Sequence, residues 1–468
     1  MVIGGGISGL VCAYALREAG VPVVLLEQTL RVGGVVDTVE QEGFLFELGP
    51  QSCLTTNRLL ELIAALGLGS ELRRADPRAP RFMLQGGHLV RVPMSPPGLL
   101  FSSLLDTRTK WRLLTEPLRR TQPPAEDESV ADFVRRKFGA DLLERLAGPF
   151  VSGIYAGDPE KLSLRSAFPV VHQWEKEYGS ILRGAIKSRA AKGEPRHTLC
   201  TFAGGMATLT RALGQELGDS LRCGAGVTSV RRASVNGKSA FDLQVDNRGR
   251  RELLTAGAVV VATDTQSAGK ILAGIAPEFS AQFARIEYAP VAVVSMGFRR
   301  GQIGHPLKGF GFLVPREEGL RSLGTVWNSS LFPNRAPEGT VNLTSFAGGA
   351  TDPALLNLHE SEILRMVARE LAGVLQITGE PLVARVHRVP RALPQYNLGH
   401  DARLAPLRHL AASVPGLFLA GNYLDGPSIG ACVERALRVA DQARQYLASR
   451  DEISAAHAAG VQTAPGTP

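Results

Sequence analysis

A glycine-rich turn at the start of the chain constrains the fold more than any other feature. The apolar residues before Gly4 are typical of a strand, and those after Gly9 of a helix that Gly20 caps. Gly4, Gly6 and Gly9 fit the pattern G-x-G-x-x-G, in which the first glycine permits the turn, the second lets a pyrophosphate approach the backbone and the third allows close helix packing. Because amides at a helix N-terminus attract anions, the turn predicts a dinucleotide site.

A short apolar strand ending in an acid follows the helix. Residues 21–27 are rich in valine and leucine and close on Glu27, which completes a strand-helix-strand unit. Glu27 lies 18 residues after Gly9, near the spacing of about 20 at which an acid hydrogen-bonds the ribose of a dinucleotide. The strand before the turn spans only residues 1–3, whereas strands usually have about five or six residues. We therefore expect the reading frame to begin upstream of Met1.

Two further glycine turns and one distant segment resemble the flavin amine oxidase superfamily. The sequences RVGG at 31–34 and ELGP at 47–50 follow Glu27 closely enough to reach the same ligand, and LAGN at 419–422 precedes GPSIG at 426–430. Chains of that superfamily return to the cofactor late, so the resemblance implies FAD. The helix beginning near Ile429 would then direct its N-terminal amides at the flavin ring.

The resemblance implies a specific set of FAD contacts, distributed over the three turns, the ends of two strands and the returning segment. In the first half of the chain they are Gly4, Gly6, Ser8, Gly9, Glu27, Gln28, Arg31, Gly33, Gly34, Gly49, Pro50, Gln51 and Ser52. In the second half they are Val227, Gly421, Pro427, Ser428 and Ile429. Mitochondrial members often have a basic residue where this chain has Gln51, so the turn is closer to bacterial and plant relatives.

The remaining pattern divides the chain into three units. Residues 81–196 are mostly helical in periodicity, whereas strand-like runs return from residue 221 to residue 346. The predicted fold class is α/β: a Rossmann-type FAD-binding domain, a mixed-sheet substrate domain and a helical insertion, similar to amine oxidases and p-hydroxybenzoate hydroxylase. We assign 1–75, 198–265 and 406–448 to the FAD domain, 76–82 and 266–405 to the substrate domain, 83–197 to the helical domain and 449–468 to a disordered tail.

Two longer motifs resemble the protoporphyrinogen oxidase family more narrowly. The first runs from GIYAGDP at 153–159 to RSAFP at 165–169, and the second is PQYNLGH at 394–400. The family removes six electrons from a porphyrinogen in three two-electron steps, in which O2 reoxidises the flavin and H2O2 is released. Because flavin N5 takes hydride from a meso carbon, the resemblance implies neither a catalytic side chain nor a metal. His400 is expected to pack or to hydrogen-bond the backbone rather than to act as a base.

The resemblance also implies a substrate site. Arg81 occupies the place of the arginine that pairs with a propionate, a role that suits its bidentate fork. Phe310, Gly311 and Leu313 occupy the places that sandwich the pyrrole rings. Bacterial relatives act on either protoporphyrinogen IX or coproporphyrinogen III. Arg81 favours protoporphyrinogen IX, and coproporphyrinogen III stays the alternative.

Composition limits the location and the partners. No run approaches the roughly 18 apolar residues of a membrane span, and no charged leader precedes an apolar stretch, so we expect a cytoplasmic protein. Five scattered cysteines without a C-x-x-C pair favour reduced thiols. The net charge of +8 suits an anionic ligand or membrane. The resemblance adds three partners to the porphyrinogen: O2, the inner face of the cell membrane and the next haem-pathway enzyme. The apolar residues near Phe101 would either touch that membrane or form an amphipathic helix packed on the protein's own core.

Three other functions stay open at this point. An amine oxidase or a carotenoid desaturase would use the same scaffold, although no cysteine near Gly421 matches the one that carries flavin covalently in some amine oxidases. A non-catalytic flavin-binding or haem-pathway interaction protein would be yellow but would form no porphyrin. Nucleic-acid binding is not expected, because the basic residues are dispersed and not interleaved with aromatics.

Overall fold

The structure, a computed structural model, describes residues 1–93, 95–191 and 198–460. The strands are β1 Val2–Ile3, β2 Leu25–Glu27, β3 Thr38–Gln41, β4 Phe44–Glu47, β5 Cys53–Leu54, β6 Leu72–Arg74, β7 Arg81–Gln85, β8 His88–Val92, β9 Leu199–Phe202, β10 Leu221–Cys223, β11 Ala225–Val235, β12 Lys238–Asn247, β13 Arg250–Ala256, β14 Val259–Val261, β15 Tyr288–Arg299, β16 Gly311–Leu313, β17 Ser322–Trp327, β18 Thr340–Gly348, β19 Val383–Pro394 and β20 Leu417–Leu419. The helices are α1 Ile7–Glu18, α2 Asn57–Ala65, α3 Pro96–Phe101, α4 Thr107–Thr115, α5 Val130–Lys137, α6 Ala140–Leu142, α7 Gly148–Tyr155, α8 Leu164–Ala167, α9 Pro169–Tyr178, α10 Ile181–Ala191, α11 Ala207–Leu217, α12 Thr265–Leu272, α13 Glu278–Ala284, α14 Asn328–Leu331, α15 Glu360–Leu375, α16 His400–Ala412 and α17 Ile429–Gly460.

Five parallel strands form a sheet in the order β10-β2-β1-β14-β20. The N-terminal turn follows β1, at the edge of the sheet where the strands have their C-terminal ends. Side chains alternate between its two faces. Val2 and Leu25 pack against α1, α2, α11 and α17. Ile3 and Leu26 pack on the opposite face against α12, α13, α16 and the antiparallel sheet β11-β12-β13. The sheet is therefore buried on both faces, as the apolar run of residues 21–27 predicted.

A seven-stranded mixed sheet forms the second layer, in the order β19-β15-β18-β17-β16-β7-β8. Its pairs are antiparallel except β16 with β7, which are parallel. Helix α15 covers one face through residues such as Val367. The helices between α3 and α9 cover the other face near Met83 and Leu313. Together with the parallel sheet, this arrangement confirms the predicted α/β architecture.

Two parts of the chain differ from our expectation. Residues 83–92, which we assigned to the helical domain, instead complete β7 and form β8, because Gly86 and Gly87 adopt positive φ and close a two-residue hairpin. α17 extends to Gly460, into the tail that we expected to be disordered from residue 449, through an alanine-rich stretch with high helix propensity. The rest of that tail, 461–468, and residues 192–197 of the helical assignment lie outside the described residues. The other domain boundaries stay a prediction.

Candidate functional site

The first and third glycines of the N-terminal turn are fixed by packing within the protein. A Cβ at Gly9 would lie 1.9 Å from the carbonyl oxygen of Gly4. Gly4 has a φ of +104°, and a Cβ there would lie 2.9 Å from the carbonyl oxygen of Ala262. The absence of a side chain at these two positions therefore lets α1 pack closely on the ends of β1 and β14. Close helix packing is the role predicted for the third glycine.

Gly6 differs from both, because a Cβ built on it meets no protein atom within 4 Å. Its φ of −71° suits any residue, and no side chain caps α1 from this position. Neither packing nor backbone conformation therefore requires glycine here. An open face at the N-terminus of α1, with uncapped amides, fits a pyrophosphate.

Glu27 lies at the C-terminal end of β2 and contacts the turn. The backbone N–H of Gly5 donates to its Oε2 at 2.6 Å, and the N–H and hydroxyl of Thr29 donate to its Oε1 at 2.8 and 2.7 Å. The next residue, Gln28, packs on β11, since a Cβ at Gly226 would lie 3.2 Å from its Cγ. Val227, the residue after Gly226, is therefore close to the end of β2, and its contact with the cofactor stays a prediction.

The second glycine turn lies directly on the first. The N–H of Gly33 donates to the carbonyl oxygen of Gly5 at 2.7 Å, and a Cβ at Gly34 would lie 3.4 Å from Cα of Gly6. Arg31 closes this turn by donating from Nη2 to the carbonyl oxygen of Gly34 at 2.8 Å. Both turns can therefore contact one ligand.

The third turn, 49–52, packs against the second. A Cβ at Gly49 would lie 2.0 Å from the carbonyl oxygen of Val35. Gln51 is buried, and its Nε2 donates to the carbonyl oxygens of Glu47 and Gly49 at 3.2 and 3.0 Å. Its Oε1 has no hydrogen-bond partner among the described residues. A buried acceptor without a partner beside two glycine turns fits a polar ligand.

The returning segment brings a second helix N-terminus to the same place. α17 begins at Ile429, and the hydroxyl of Ser428 accepts from the N–H of Ala431 at 3.2 Å. Its first turn packs on α2, since a Cβ at Gly430 would lie 2.7 Å from Cγ2 of Thr56. Burial raises the pKa of Cys432 to about 11, and a hydrogen bond with Ser8 opposes that shift. That contact joins α17 to the first turn of α1.

Tyr396 and His400, from the second long motif, hold the returning segment. The Tyr396 hydroxyl donates to the carbonyl oxygen of Asn422 at 2.6 Å and accepts from the N–H of Gly426 at 2.7 Å. His400 stacks on the Tyr396 ring at 4.2 Å, and its Nε2 lies 3.0 Å from the carbonyl oxygen of Tyr423. Burial lowers the pKa of His400 to about 4, so the ring is neutral at pH 7. The expected backbone role of His400 is confirmed.

The two long motifs also pack on each other and on the mixed sheet. Gln395 donates from Nε2 to the carbonyl oxygen of Tyr155 at 2.9 Å, and the N–H of Ser163 donates to the carbonyl oxygen of Tyr396 at 2.8 Å. Gly153 lies against Leu313, where a Cβ would approach Cδ2 to 2.6 Å. The motifs therefore position β16 relative to the returning segment.

Three of the four predicted substrate residues lie on the parallel pair β7 and β16, and Phe310 is the residue immediately before β16. Arg81 is directly opposite Gly311, and its guanidinium lies 5.3 Å from the centroid of the Phe310 ring. Opposite residues of neighbouring strands share a face, so Leu313, opposite Met83, points to the same side. Partial burial lowers the pKa of Arg81 from its usual value, but a guanidinium stays charged at neutral pH. The result is a cation beside the half-buried ring of Phe310, with the half-buried Leu313 two positions beyond Gly311 on β16.

The sequence did not predict a buried ion pair that lies beside the third glycine turn. Nη1 of Arg335 donates to Oε1 of Glu47 at 3.1 Å, and both side chains are buried. Glu47 also accepts from the Thr38 hydroxyl at 2.6 Å and from the N–H of Met206 at 2.9 Å. Glu47 was read only as part of ELGP, and Arg335 carried no local signal, because the two residues are 288 positions apart.

Comparison with known proteins gives consistent results. Residues 7–444 match the family described as flavin containing amine oxidoreductase. The chloroplastic protoporphyrinogen oxidase of rice is 37% identical over 96% of this chain and 88% of its own length. The coproporphyrinogen III oxidase of Bacillus subtilis is 29% identical over 96% of this chain and 98% of its own length. A crystal structure from Exiguobacterium superposes with a TM-score of 0.79, at 25% identity, over 94% of this chain and 97% of that chain.

Proposed function

This chain belongs to the flavin-containing amine oxidoreductase family and is an FAD-dependent oxidoreductase, and we propose that it oxidises protoporphyrinogen IX to protoporphyrin IX. Six electrons leave the substrate in three two-electron steps, with O2 as acceptor and three H2O2 as by-product. The observation that carries this proposal is the meeting of Arg81 with Phe310 and Gly311 on paired strands. The higher identity to the rice enzyme than to the Bacillus enzyme favours protoporphyrinogen over coproporphyrinogen.

The three glycine turns and the start of α17 would hold FAD. The open face of Gly6 and the free Oε1 of Gln51 fit its polar groups, and the amides of α1 and α17 would meet its negative charge. Glu27 would accept from a ribose hydroxyl. Bound FAD supplies the acceptor for two electrons in each step.

The side chains of this chain would bind and orient the porphyrinogen. Arg81 would pair with one propionate through its fork, which fixes the rotation of the macrocycle. Phe310 and Leu313 would cover an apolar ring face and exclude water from the reacting carbon. His400 would hold the returning segment without exchanging a proton, since its pKa lies near 4.

The proposal predicts a preference between two substrates and a specific loss on changing Arg81. With purified holoenzyme, porphyrin fluorescence should rise with a higher kcat/KM for protoporphyrinogen IX than for coproporphyrinogen III. Arg81→Ala should lower kcat/KM for protoporphyrinogen by about 10-fold to 100-fold, because a charge-assisted hydrogen bond contributes about 1.5–3 kcal/mol. The loss should come mostly from KM.

Two variants make this measurement specific. Arg81→Lys keeps the charge but loses the fork, so its kcat/KM should fall between wild type and Arg81→Ala. Arg232→Ala removes an exposed arginine from β11 and should leave kinetics unchanged. FAD content should stay at the wild-type value in all three. No porphyrin from either substrate would refute the proposal, and a higher kcat/KM for coproporphyrinogen III would replace the substrate.

We also propose that the helical region rests on an anionic membrane surface. Large apolar side chains project from α3, α4 and the turn after α4: Phe101 is 91% exposed and Leu118 78% exposed, and Trp111 and Leu114 are also exposed. Helix α4, which carries Trp111 and Leu114, also carries basic residues such as Arg108. None of the described helices has both the length and the apolarity to cross a bilayer. An apolar surface with nearby cations suits interfacial binding.

Flotation with vesicles tests this surface. Wild type should float with vesicles containing phosphatidylserine at low salt, and the double variant Phe101→Ser and Leu118→Ser should stay at the bottom of the gradient. Leu253→Ser is the matched control, because Leu253 is 65% exposed on β13, far along the chain from this region. It should float as wild type does. Equal flotation of the double variant, or none of wild type, would contradict the proposal.

A further inference from the structure

Two cysteines that are far apart in the chain lie opposite each other in the sheet β5-β9-β6. Cys53 on β5 pairs with Cys200 on β9, and their Sγ atoms are 3.6 Å apart. Both thiols are free and buried. Opposite residues of an antiparallel pair have Cα atoms about 4.5–5.5 Å apart, within the range of about 4.4–6.8 Å that a disulfide requires. A bond between them therefore needs rotation of side chains and no shift of strands.

The surroundings of the pair give its two thiols different reactivity. β9 is the middle strand, so Cys200 has Cys53 on one side and Arg74, its partner on β6, on the other. The hydrogen bond with Cys53 and the charge of Arg74 lower the pKa of Cys200. The same hydrogen bond and burial raise the pKa of Cys53. Because the thiolate is the nucleophile, Cys200 is the attacking member.

The other cysteines lack this arrangement. Burial raises the pKa of Cys12 to about 12 and that of Cys432 to about 11. Burial also raises the pKa of Cys223. Among the described residues, the only pair of cysteine sulfurs in hydrogen-bond contact is Cys53 with Cys200. Selective oxidation should therefore be confined to these two.

We propose that Cys53 and Cys200 form a redox site that a hydroperoxide converts to a disulfide. The Cys200 thiolate attacks one oxygen of H2O2. The O–O bond breaks, Cys200 becomes a sulfenic acid and hydroxide leaves. The hydroxide takes up the proton lost by Cys200 and becomes the first water. The Cys53 thiol then attacks the sulfenic sulfur, so that an S–S bond forms and a second water leaves. Two electrons from two thiols reduce one peroxide to two waters. The site does not depend on which porphyrinogen, if any, the enzyme oxidises.

The disulfide would join two segments beside the candidate cofactor site. β5 follows directly after Gln51 and Ser52, and β9 leads to Met206, whose N–H donates to Glu47. The bond would close a loop between residues 147 positions apart, and closing so long a loop restricts the unfolded chain strongly. The oxidised protein should therefore melt at a higher temperature than the reduced protein.

Holoenzyme, reduced and freed of reductant, tests this site when H2O2 is added without substrate. Thiol titration in denaturant should fall from five thiols to three, and intact mass should fall by two hydrogens. Peptide mapping should find Cys53 joined to Cys200, and dithiothreitol should restore the five thiols and the lower Tm. An unchanged titre, addition of oxygen in place of a bond, or a bond to Cys12, Cys223 or Cys432 would overturn the proposal.

Variants separate the pair from general oxidation. Cys53→Ser and Cys200→Ser should each abolish the disulfide and the rise in Tm, whereas Cys12→Ala, a buried control, should retain both. Arg74→Gln should slow the oxidation several-fold, since it removes the cation beside Cys200. An unchanged rate in that variant would overturn the role of Cys200 as the attacking thiol.

Discussion

Gly6→Ala should give a folded protein that has lost FAD. The new methyl group would meet no protein atom within 4 Å, and the backbone conformation accepts alanine, so the apoprotein should melt at the wild-type temperature. A pyrophosphate lying on the amides of α1 would collide with that methyl group. We expect FAD affinity to fall by about 100-fold, which corresponds to about 2.7 kcal/mol. The ratio of flavin to protein absorbance and titration of apoprotein with FAD measure this loss.

Two other glycines control for this result. Gly373, within α15, also has open space where a Cβ would lie, so Gly373→Ala should keep FAD and be at least as stable as wild type, because alanine favours a helix more than glycine does. Gly9→Ala should fail in a different way, because its Cβ would lie 1.9 Å from a backbone oxygen, and overpacking of that kind destabilises the fold itself. Full FAD occupancy in Gly6→Ala would mean that the N-terminal turn is not part of the cofactor site.

Features set by neighbouring residues were predicted well from the sequence. The spacing of Gly4, Gly6 and Gly9 between a strand and a helix defines one local geometry, which the structure contains. The hairpin of β7 and β8 could also have been predicted, because two consecutive glycines at 86 and 87 separate two short apolar runs. We assigned that stretch by the helical periodicity further along, and the local turn signal was the better guide.

Contacts between distant segments could not be derived from residues alone. The approach of Cys53 to Cys200 depends on the register of β5 and β9, which no spacing in the chain encodes. The grouping of Arg81 with Phe310 came from the resemblance to a family, and the structure supplies the parallel pairing that brings them together. The burial of His400 could not be predicted from the sequence either. Its lowered pKa depends on packing from Tyr396 and the returning segment.

Arg335→Met should cause the largest loss of stability among the changes considered. Removing one member of a buried ion pair leaves the other without its counter-charge, which costs about 3–5 kcal/mol. Glu47 would keep the hydrogen bonds from Thr38 and Met206 but lose the arginine that contacts it at 3.1 Å. Since β4 ends at Glu47, two residues before the turn at 49–52 begins, we expect a lower denaturation midpoint in urea and weaker retention of FAD.

The pH dependence of that loss identifies its cause. Burial raises the pKa of Glu47 above its usual value of 4.5, and Arg335 opposes the rise, so the pKa of Glu47 should rise further in Arg335→Met. A carboxyl whose pKa is raised on folding favours the folded state below its unfolded pKa and loses that contribution as pH rises through the folded value. The deficit of the variant should therefore be smaller near pH 4.5 than at pH 7. Adding Glu47→Gln to Arg335→Met should recover most of the urea denaturation midpoint at pH 7. A deficit that is the same at both pH values would mean that lost packing, and not the buried charge, destabilises the variant.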